Sequence, residues 1–227
     1  MDYIDINLYF KENLPFFKDL SESELKYLLS KSSIQKCDKD TIIYSKNSSC
    51  TGIVLVLDGQ IRSFMSSDIG REITLFRLFE RDICMLSSSC VYQNLSCEIN
   101  LKTEKNSSVI IIEGEALKKV ANNNNIHVQS FLLDLTQNKL SEIMWVLEQV
   151  VFFKLETRVA DFLISQYHLN DSININTTHD YIANNLGSAR EVISRILKRL
   201  ENDKILKLSR GTIKIIDIDK LYSLGSY

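Results

Sequence analysis

The chain has 227 residues, of which 44% are hydrophobic and 25% are charged, and its formal net charge is −2. This length accommodates two modest domains, each with its own core, and the composition is that of an ordinary globular protein. The near-neutral charge argues against a protein that binds nucleic acid over its whole surface, so any such contact has to be local.

The cysteine content and the first residues predict a cytoplasmic protein. Five cysteines, an odd number without a regular framework, suit a reducing compartment better than a set of disulfides. The N-terminus carries acids and no basic leader, and no apolar run approaches the roughly 18 residues that cross a membrane. We therefore expect neither a signal peptide nor contact with a membrane.

The N-terminal half is predicted to be short helices followed by a β-domain. Ser21 and Glu24 fit a capping box, in which a serine and an acid three residues later bond reciprocally to backbone N–H groups. Many short strands separated by glycine turns then predict an antiparallel jelly roll. The predicted strands are Ser33–Cys37, Thr41–Tyr44, Gly52–Asp58, Gln60–Met65, Arg71–Phe79, Glu98–Thr103 and Ser107–Glu113.

A long helix is predicted from about Ile126 to Val151. Its apolar residues recur at alternating steps of three and four, which is the spacing of a coiled coil. Two apolar sides are more than one packing partner needs. The stripe consists of Leu132, Thr136, Leu140, Ile143, Leu147 and Val150, and it is widened by Leu133, Met144 and Val151.

The C-terminal part contains two predicted helices joined by a tight turn. Thr178 is expected to cap the first helix, and Gly187 to end it, because glycine accepts the left-handed geometry of a helix stop. Ser188 would cap the second helix, and Asp219 would cap a last short one. Two helices around a glycine turn are typical of a helix-turn-helix, whose second helix enters the DNA major groove.

The second helix separates into an apolar face and a charged face. From Ser188 to Lys214, eight Lys or Arg stand against three Asp or Glu, and this local charge of +5 is the footprint of a localised DNA contact. The hairpin that follows, predicted around Ser209-Arg210-Gly211, would be a wing whose Arg210 or Lys207 touches phosphate. Taken alone, the second helix could equally be an ordinary amphipathic helix whose charged face is solvated. The cap, the glycine turn and the two faces together favour a DNA-binding helix. The charged face carries Arg190, Glu191, Ser194, Arg195 and Lys198.

The motif THDYIANNLGSAREVISRILKRLE resembles the recognition motif of the Crp/Fnr family of bacterial transcription regulators. Arg190, Glu191 and Arg195 match the branch of the cAMP receptor protein, and Ser194 matches the Fnr branch. The resemblance implies that Glu191 and Arg195 read a TGA-like core and that Thr178 and His179 touch the phosphate backbone. The DNA contacts expected in all are Thr178, His179, Ser188, Arg190, Glu191, Ser194, Arg195, Lys198 and Arg210.

The resemblance covers nearly the whole chain and implies an α+β protein. VLVLDGQIR and DIGREITL resemble glycine-marked strands of the family's cyclic-nucleotide-binding-like sensor barrel. The long helix would join two copies, because two recognition helices must meet two half-sites of a pseudo-palindrome about one DNA turn apart. The implied domains are an effector-sensing jelly roll (1–125), a dimerisation helix and hinge (126–153) and a winged helix-turn-helix (154–227). The implied partners are double-stranded DNA, a second copy of the chain and, for an activator, RNA polymerase.

The expected effector pocket departs from the cAMP-binding pattern of the family. Met85-Leu86 stands near the position of a ribose-binding Gly-Glu pair, and no arginine lies between Arg81 and Leu101 to pair with a phosphate. The iron–sulfur cluster of the family's Fnr branch would need cysteines near the N-terminus, and there is none before Cys37. None of the three histidines falls in the predicted barrel, so a haem would need Cys84 or Met85 as its ligand. We predict no cofactor, and cAMP is not expected to bind in the usual mode.

Cys84, Cys90 and Cys97 lie in a serine-rich segment at the expected effector pocket, together with Met85 and Ser87. Thiols with lowered pKa values would sense oxidants, reactive sulfur, nitric oxide or a thiophilic metal. Alternatively, they pack as small buried hydrophobes. The segment also resembles a branch of the family with the pattern C-x-L-S-x-S-C, for which no effector is implied.

Together these features predict a homodimeric, sequence-specific transcription regulator without enzymatic activity, controlled allosterically by an unknown effector. One alternative is a jelly-roll metal enzyme with an attached winged helix, but residues 1 to 126 contain no histidine to bind the metal. A second is a protein-interaction module, in which replacing Glu191 or Arg195 would leave DNA affinity unchanged. A third is a regulator whose barrel is purely structural.

Overall fold

The computed structural model describes residues 5–45, 52–85, 99–123 and 125–226, which fall into two compact units. The first unit takes the residues up to Phe64 together with Leu75–Glu142, and the second takes Met65–Thr74 and the residues from Ile143 onward. The helices are α1 (Ile6–Asn13), α2 (Glu22–Ser30), α3 (Gly114–Asn122), α4 (Ile126–Phe152), α5 (Leu155–Asn170), α6 (His179–Leu186), α7 (Arg190–Asn202) and α8 (Ile218–Leu224), with a 3-10 turn at Pro15–Asp19. The strands are β1 (Ser32–Cys37), β2 (Ile42–Tyr44), β3 (Ile53–Asp58), β4 (Ile61–Ser66), β5 (Glu72–Leu78), β6 (Ile83–Cys84), β7 (Asn100–Thr103), β8 (Ser107–Ile112), β9 (Asn174–Asn176), β10 (Leu206–Ser209) and β11 (Thr212–Ile215).

The N-terminal strands form two four-stranded sheets, with the orders β1-β8-β3-β6 and β2-β7-β4-β5. This alternation of successive strands between two sheets is the topology of a jelly roll. Register places Ile53 opposite Ile112 and Leu55 opposite Ile110, and all four side chains are buried. Apolar rows of neighbouring strands therefore meet on the core side of the sheet.

Each predicted strand is present within the described residues, with its ends shifted by no more than about two positions. The start of the strand predicted from Glu98 lies outside those residues. The prediction missed β6, which is only two residues long and therefore shows no alternation of apolar and polar side chains.

The apolar residues of α4 divide between two environments. Leu132 is buried in the core of the first unit, and the hydroxyl of Thr136 lies 3.7 Å from the sulfur of Met85. These two residues of the predicted stripe therefore pack on their own domain. The residues left exposed at heptad spacing, which we call the exposed stripe of α4, are Leu133, Leu140, Met144, Leu147 and Val151.

The second unit is a helical domain with the small antiparallel sheet β10-β11-β9. Its core contains fully buried residues of α5 and α7, including Leu163, Ile193 and Leu197. The tip of the β4–β5 hairpin belongs to this unit, where Ile73 forms an antiparallel bridge with Leu186. No helix among the described residues is long and apolar enough to span a membrane.

Candidate nucleic-acid interface

The turn between α6 and α7 is built from local capping interactions. Thr178 caps α6, as predicted, because its hydroxyl accepts a hydrogen bond from the N–H of Tyr181 at 3.1 Å. Gly187 ends the helix with φ 69° and ψ 31°, the left-handed geometry expected of a glycine stop. Arg158 donates to the carbonyl of Leu186 at 2.8 Å, and its burial lowers its pKa. A guanidinium therefore satisfies a carbonyl at the end of α6, where helix carbonyls lack partners.

Helix α7 begins one residue later than the sequence suggested. Its N-cap is Ala189, which makes no side-chain hydrogen bond, so the prediction that Ser188 caps the helix is wrong. The Ser188 N–H instead bonds to the carbonyl of Ala183 at 3.0 Å and so belongs to the end of α6. Ser188 is half-buried in the turn that joins the two helices.

Burial sorts α7 into the two faces that its sequence indicated. Ile193, Leu197 and Leu200 are fully buried in the core of the second unit, and this fixes the rotation of the helix about its own axis. The opposite face consequently presents its charged groups to solvent. The exposed residues on that side are Arg190, Glu191, Arg195 and Lys198.

Two polar contacts join the start of α6 to the exposed side of α7. Arg190 forms an ion pair with Asp180, with 3.0 Å between Nη1 and Oδ2. One turn further along α7, the hydroxyl of Ser194 lies 2.7 Å from Nδ1 of His179, and both of these side chains are half-buried. Ser194 is therefore held by a neighbouring helix, whereas Glu191 on the same face is exposed to solvent.

The hairpin after α7 presents a basic outer surface. Register places Lys207 directly opposite Lys214, and both lysines are exposed. Arg210 is exposed at the tip, where Gly211 has φ 76°. Like charges on facing strand positions repel each other, and an anion bound between them would relieve that repulsion. The N–H of Leu208 bonds to the Glu201 carboxylate at 2.8 Å, so the hairpin is tied to the end of α7.

The second unit thus contains every residue predicted to contact DNA. Sequence reasoning did not single out Lys214, Asp180 or Arg158. The alternation of the hairpin could have found Lys214, since it shares the outward face with Lys207. Asp180 and Arg158 act through tertiary contacts, and no local pattern marks them.

The candidate effector residues are only partly within the described chain. Cys84 and Met85 are completely buried, and Met85 belongs to the main core of the first unit. Ser87, Cys90 and Cys97 lie outside the described residues. Burial raises the pKa of the Cys37 thiol, and the nearby Asp38 adds to the rise. Among the described residues, no group of three or more His, Cys, Asp or Glu side chains is placed to hold a metal.

Comparison with known proteins identifies what the chain is similar to. Residues 157–224 match the model of the Crp-like helix-turn-helix domain. A transcriptional regulator of the Crp/Fnr family from Eubacterium rectale is 37% identical, with a TM-score of 0.88 over 94% of this chain and 98% of that chain. No protein with a curated description matches the chain in sequence.

Two more distant structures share the fold. FixK2 from Bradyrhizobium japonicum is 20% identical, with a TM-score of 0.65 over 86% of this chain and 98% of that chain. The c-di-GMP-responsive global regulator CLP from Xanthomonas campestris is 14% identical, with a TM-score of 0.71 over 86% of this chain and 99% of that chain. The comparisons confirm the predicted α+β architecture of an N-terminal antiparallel barrel, a long helix and a C-terminal helix-turn-helix.

Proposed function

This chain belongs to the Crp/Fnr family of DNA-binding transcription regulators, and from that premise we propose that it acts as a homodimer on a pseudo-palindromic site. Each subunit would place α7 in the major groove of one half-site and its wing against flanking phosphates. The two-fold symmetry of the dimer would match that of the site, with half-sites about one turn of DNA apart. The protein would carry out no reaction of its own and would act in the cytoplasm.

The observation that carries this proposal is the division of α7 into a buried face and a charged exposed face. Glu191 and Arg195 lie on its first two turns, where base contacts are normally made. A carboxylate at Glu191 suits the amino group of cytosine, and a guanidinium at Arg195 suits the O6 and N7 atoms of guanine. Lys198 lies further along the helix and is assigned to phosphate, as are Lys207 and Lys214 of the wing.

The proposed dimer contact is the exposed stripe of α4. Its five apolar side chains are between 50% and 60% exposed, and their steps of three, four and seven are those of a coiled-coil seam. A second copy of α4 packed along this seam would remove the apolar surface from water. The stripe therefore supports the pairing of two chains, which DNA binding at two half-sites requires.

For the sensor unit we favour an effector other than cAMP or cGMP. Arg81 is exposed beside Glu80, so it does not supply the buried guanidinium that a phosphate requires. A ligand without a phosphate group is therefore favoured. Such a ligand would regulate DNA binding by binding more tightly to one of two arrangements of the dimer.

The proposed function is tested by selecting binding sites from random double-stranded DNA. The selection is done at low salt, where phosphate contacts contribute most to affinity. The wild type is expected to enrich a pseudo-palindrome with a TGA-like half-site. Glu191→Ala should lose about 1–3 kcal/mol of discrimination at one base pair of each half-site. Lys198→Ala is the matched control, because losing a phosphate contact weakens binding to all sequences and reduces the salt slope by about one per subunit.

Three outcomes would contradict parts of this assignment. If the wild type enriches no sequence, the chain is not a sequence-specific regulator and a protein-interaction module becomes the better assignment. If Glu191→Ala enriches the same sequence as the wild type with the same discrimination, Glu191 does not read a base. If added cAMP raises the affinity for the selected site, the argument against a cyclic-nucleotide effector fails.

A further inference from the structure

A hydrogen bond between the two helices of the helix-turn-helix points to a residue that controls base preference indirectly. Nδ1 of His179, the first residue of α6, lies 2.7 Å from the hydroxyl of Ser194 on α7. Ser194 lies on the same side of α7 as Glu191 and Arg195, the two residues assigned to bases above. The imidazole thus forms a hydrogen bond with a hydroxyl at the edge of the proposed DNA-facing surface.

We propose that His179 is a specificity-determining residue that acts on DNA through Ser194, an inference that rests on the proposed DNA-binding function. A serine hydroxyl has one proton to donate and two lone pairs that accept. The hydrogen bond to His179 engages one of these and fixes the rotation of the hydroxyl. The imidazole therefore decides which hydrogen-bonding group Ser194 presents to a base.

The two protonation arrangements of Nδ1 leave different groups available. When Nδ1 lacks a proton, it accepts the hydroxyl proton, and Ser194 then presents lone pairs that suit the amino groups of adenine or cytosine. When Nδ1 carries a proton, it donates to the oxygen, and the hydroxyl keeps its own proton for guanine O6 or N7 or for thymine O4. Without the imidazole the hydroxyl rotates freely and accepts both classes of base.

This role differs from the phosphate contact that the sequence resemblance implied for His179. A phosphate contact contributes equally to every DNA sequence and adds to the salt dependence of binding. A residue that orients Ser194 changes the preference at one base pair of each half-site and leaves the salt slope unaltered. The two roles are therefore distinguished by one set of binding measurements.

The experiment compares DNA selection and salt-dependent affinity for the wild type, His179→Ala, Ser194→Ala and the double variant. We expect His179→Ala and Ser194→Ala each to reduce discrimination at the same base pair by about two- to tenfold, the range of a single hydrogen bond. The double variant should lose no more than Ser194→Ala alone, because the two residues act as a unit. His179→Asn places an amide near the position of Nδ1. It is therefore expected to retain part of the base discrimination that His179→Ala loses.

His168→Ala is the matched control, since His168 makes a similar bond, 2.6 Å from Nε2 to the hydroxyl of Tyr222, away from α7. It should keep the base preference of the wild type. The proposal would be overturned if His179→Ala weakened binding to all DNA sequences equally and lowered the salt slope. It would also be overturned if the losses of discrimination in the two single variants added up in the double variant. The His179→Asn and Ser194→Ala variants decide the question if His179→Ala does not fold. Failure of the proposed function itself would give a different result, because the wild type would then show no base preference in the selection.

Discussion

Gly187 is the residue at which the chain changes direction between α6 and α7. Its φ of 69° lies in the left-handed region, which costs a residue with a Cβ atom roughly 1–2 kcal/mol. An added Cβ would lie 3.4 Å from the side chain of Ile73, an ordinary van der Waals distance. Backbone strain, and not a steric clash, should therefore set the cost of a substitution here.

We expect Gly187→Ala to lower the free energy of unfolding by about 1–2 kcal/mol, measured by urea denaturation. Gly211→Ala is the matched control, because Gly211 has φ 76° and no described atom within 4 Å of an added Cβ. Similar losses in the two variants would assign the whole effect to the backbone. A loss at Gly187 that exceeds the control by several kcal/mol would contradict this, and would mean that Ile73 cannot adjust.

Single residues also show where sequence reasoning succeeds and where it fails. Thr178 and Gly187 could be identified because a cap and a stop are local features that depend on residue type. Ser188 lies one position before the actual cap of α7, which is Ala189. Asp219 lies two positions after the actual cap of α8, which is Asp217. Residue type alone does not say which of two neighbouring candidates stands where the helix hydrogen bonds begin.

At the scale of elements, the capping box of α2 links helix stability to pH. The backbone N–H of Ser21 donates to the Glu24 carboxylate at 2.9 Å, and this bond is the main reason that the pKa of Glu24 is lowered. A carboxyl whose pKa is lower in the folded state contributes stability above its unfolded pKa of about 4.3. That contribution is lost as the pH falls through the lower, folded-state pKa.

We expect the stability advantage of the wild type over Glu24→Gln to be present at pH 7 and to decrease as the pH falls below the unfolded pKa of about 4.3. Glutamine keeps an oxygen acceptor for the Ser21 N–H but has no charge to titrate. Urea denaturation of both proteins across this pH range measures the difference. An advantage that stays constant down to pH 3 would show that the charge of Glu24 does not support the helix.

The strands were predictable because alternating side chains and glycine turns are local signals. The faces of α4 were not, because two adjacent apolar stripes both fit a helical period and only tertiary packing decides between them. Leu132 lies in the core, whereas Leu133, the next residue, is exposed. Sequence periodicity therefore identified a helix with two apolar sides and did not say which side was already used.

At the scale of the whole molecule, the division into compact units follows contacts that are remote in sequence. Met65–Thr74 is the tip of a hairpin from the barrel, yet it groups with the C-terminal residues. Within that unit the hydroxyl of Thr74 lies 3.0 Å from the side-chain oxygen of Asn185, which is 111 residues away. Composition and periodicity are local properties and do not reveal a contact between residues so far apart in sequence. Domain boundaries predicted from the sequence therefore could not include it.

The exposed stripe of α4 leads to a prediction for the assembled protein. Replacing Leu140 and Leu147 together by Asp puts two charges on the proposed seam, which opposes their burial against a second helix. We expect this double variant to sediment as a monomer at concentrations at which the wild type is a dimer. Trp145, the single tryptophan, is 59% exposed beside the stripe, so its fluorescence should shift to longer wavelength when the dimer separates.

The matched control is Leu169→Asp, which alters a leucine that is 66% exposed on α5, outside the stripe. It should remain dimeric and bind the full site as the wild type does. The monomeric variant should bind an isolated half-site normally but lose about 10²–10⁴-fold in affinity for the full palindrome, because the second contact is no longer intramolecular. If the double variant stays dimeric and keeps its affinity for the palindrome, the two chains meet through another surface and the stripe must have a different partner.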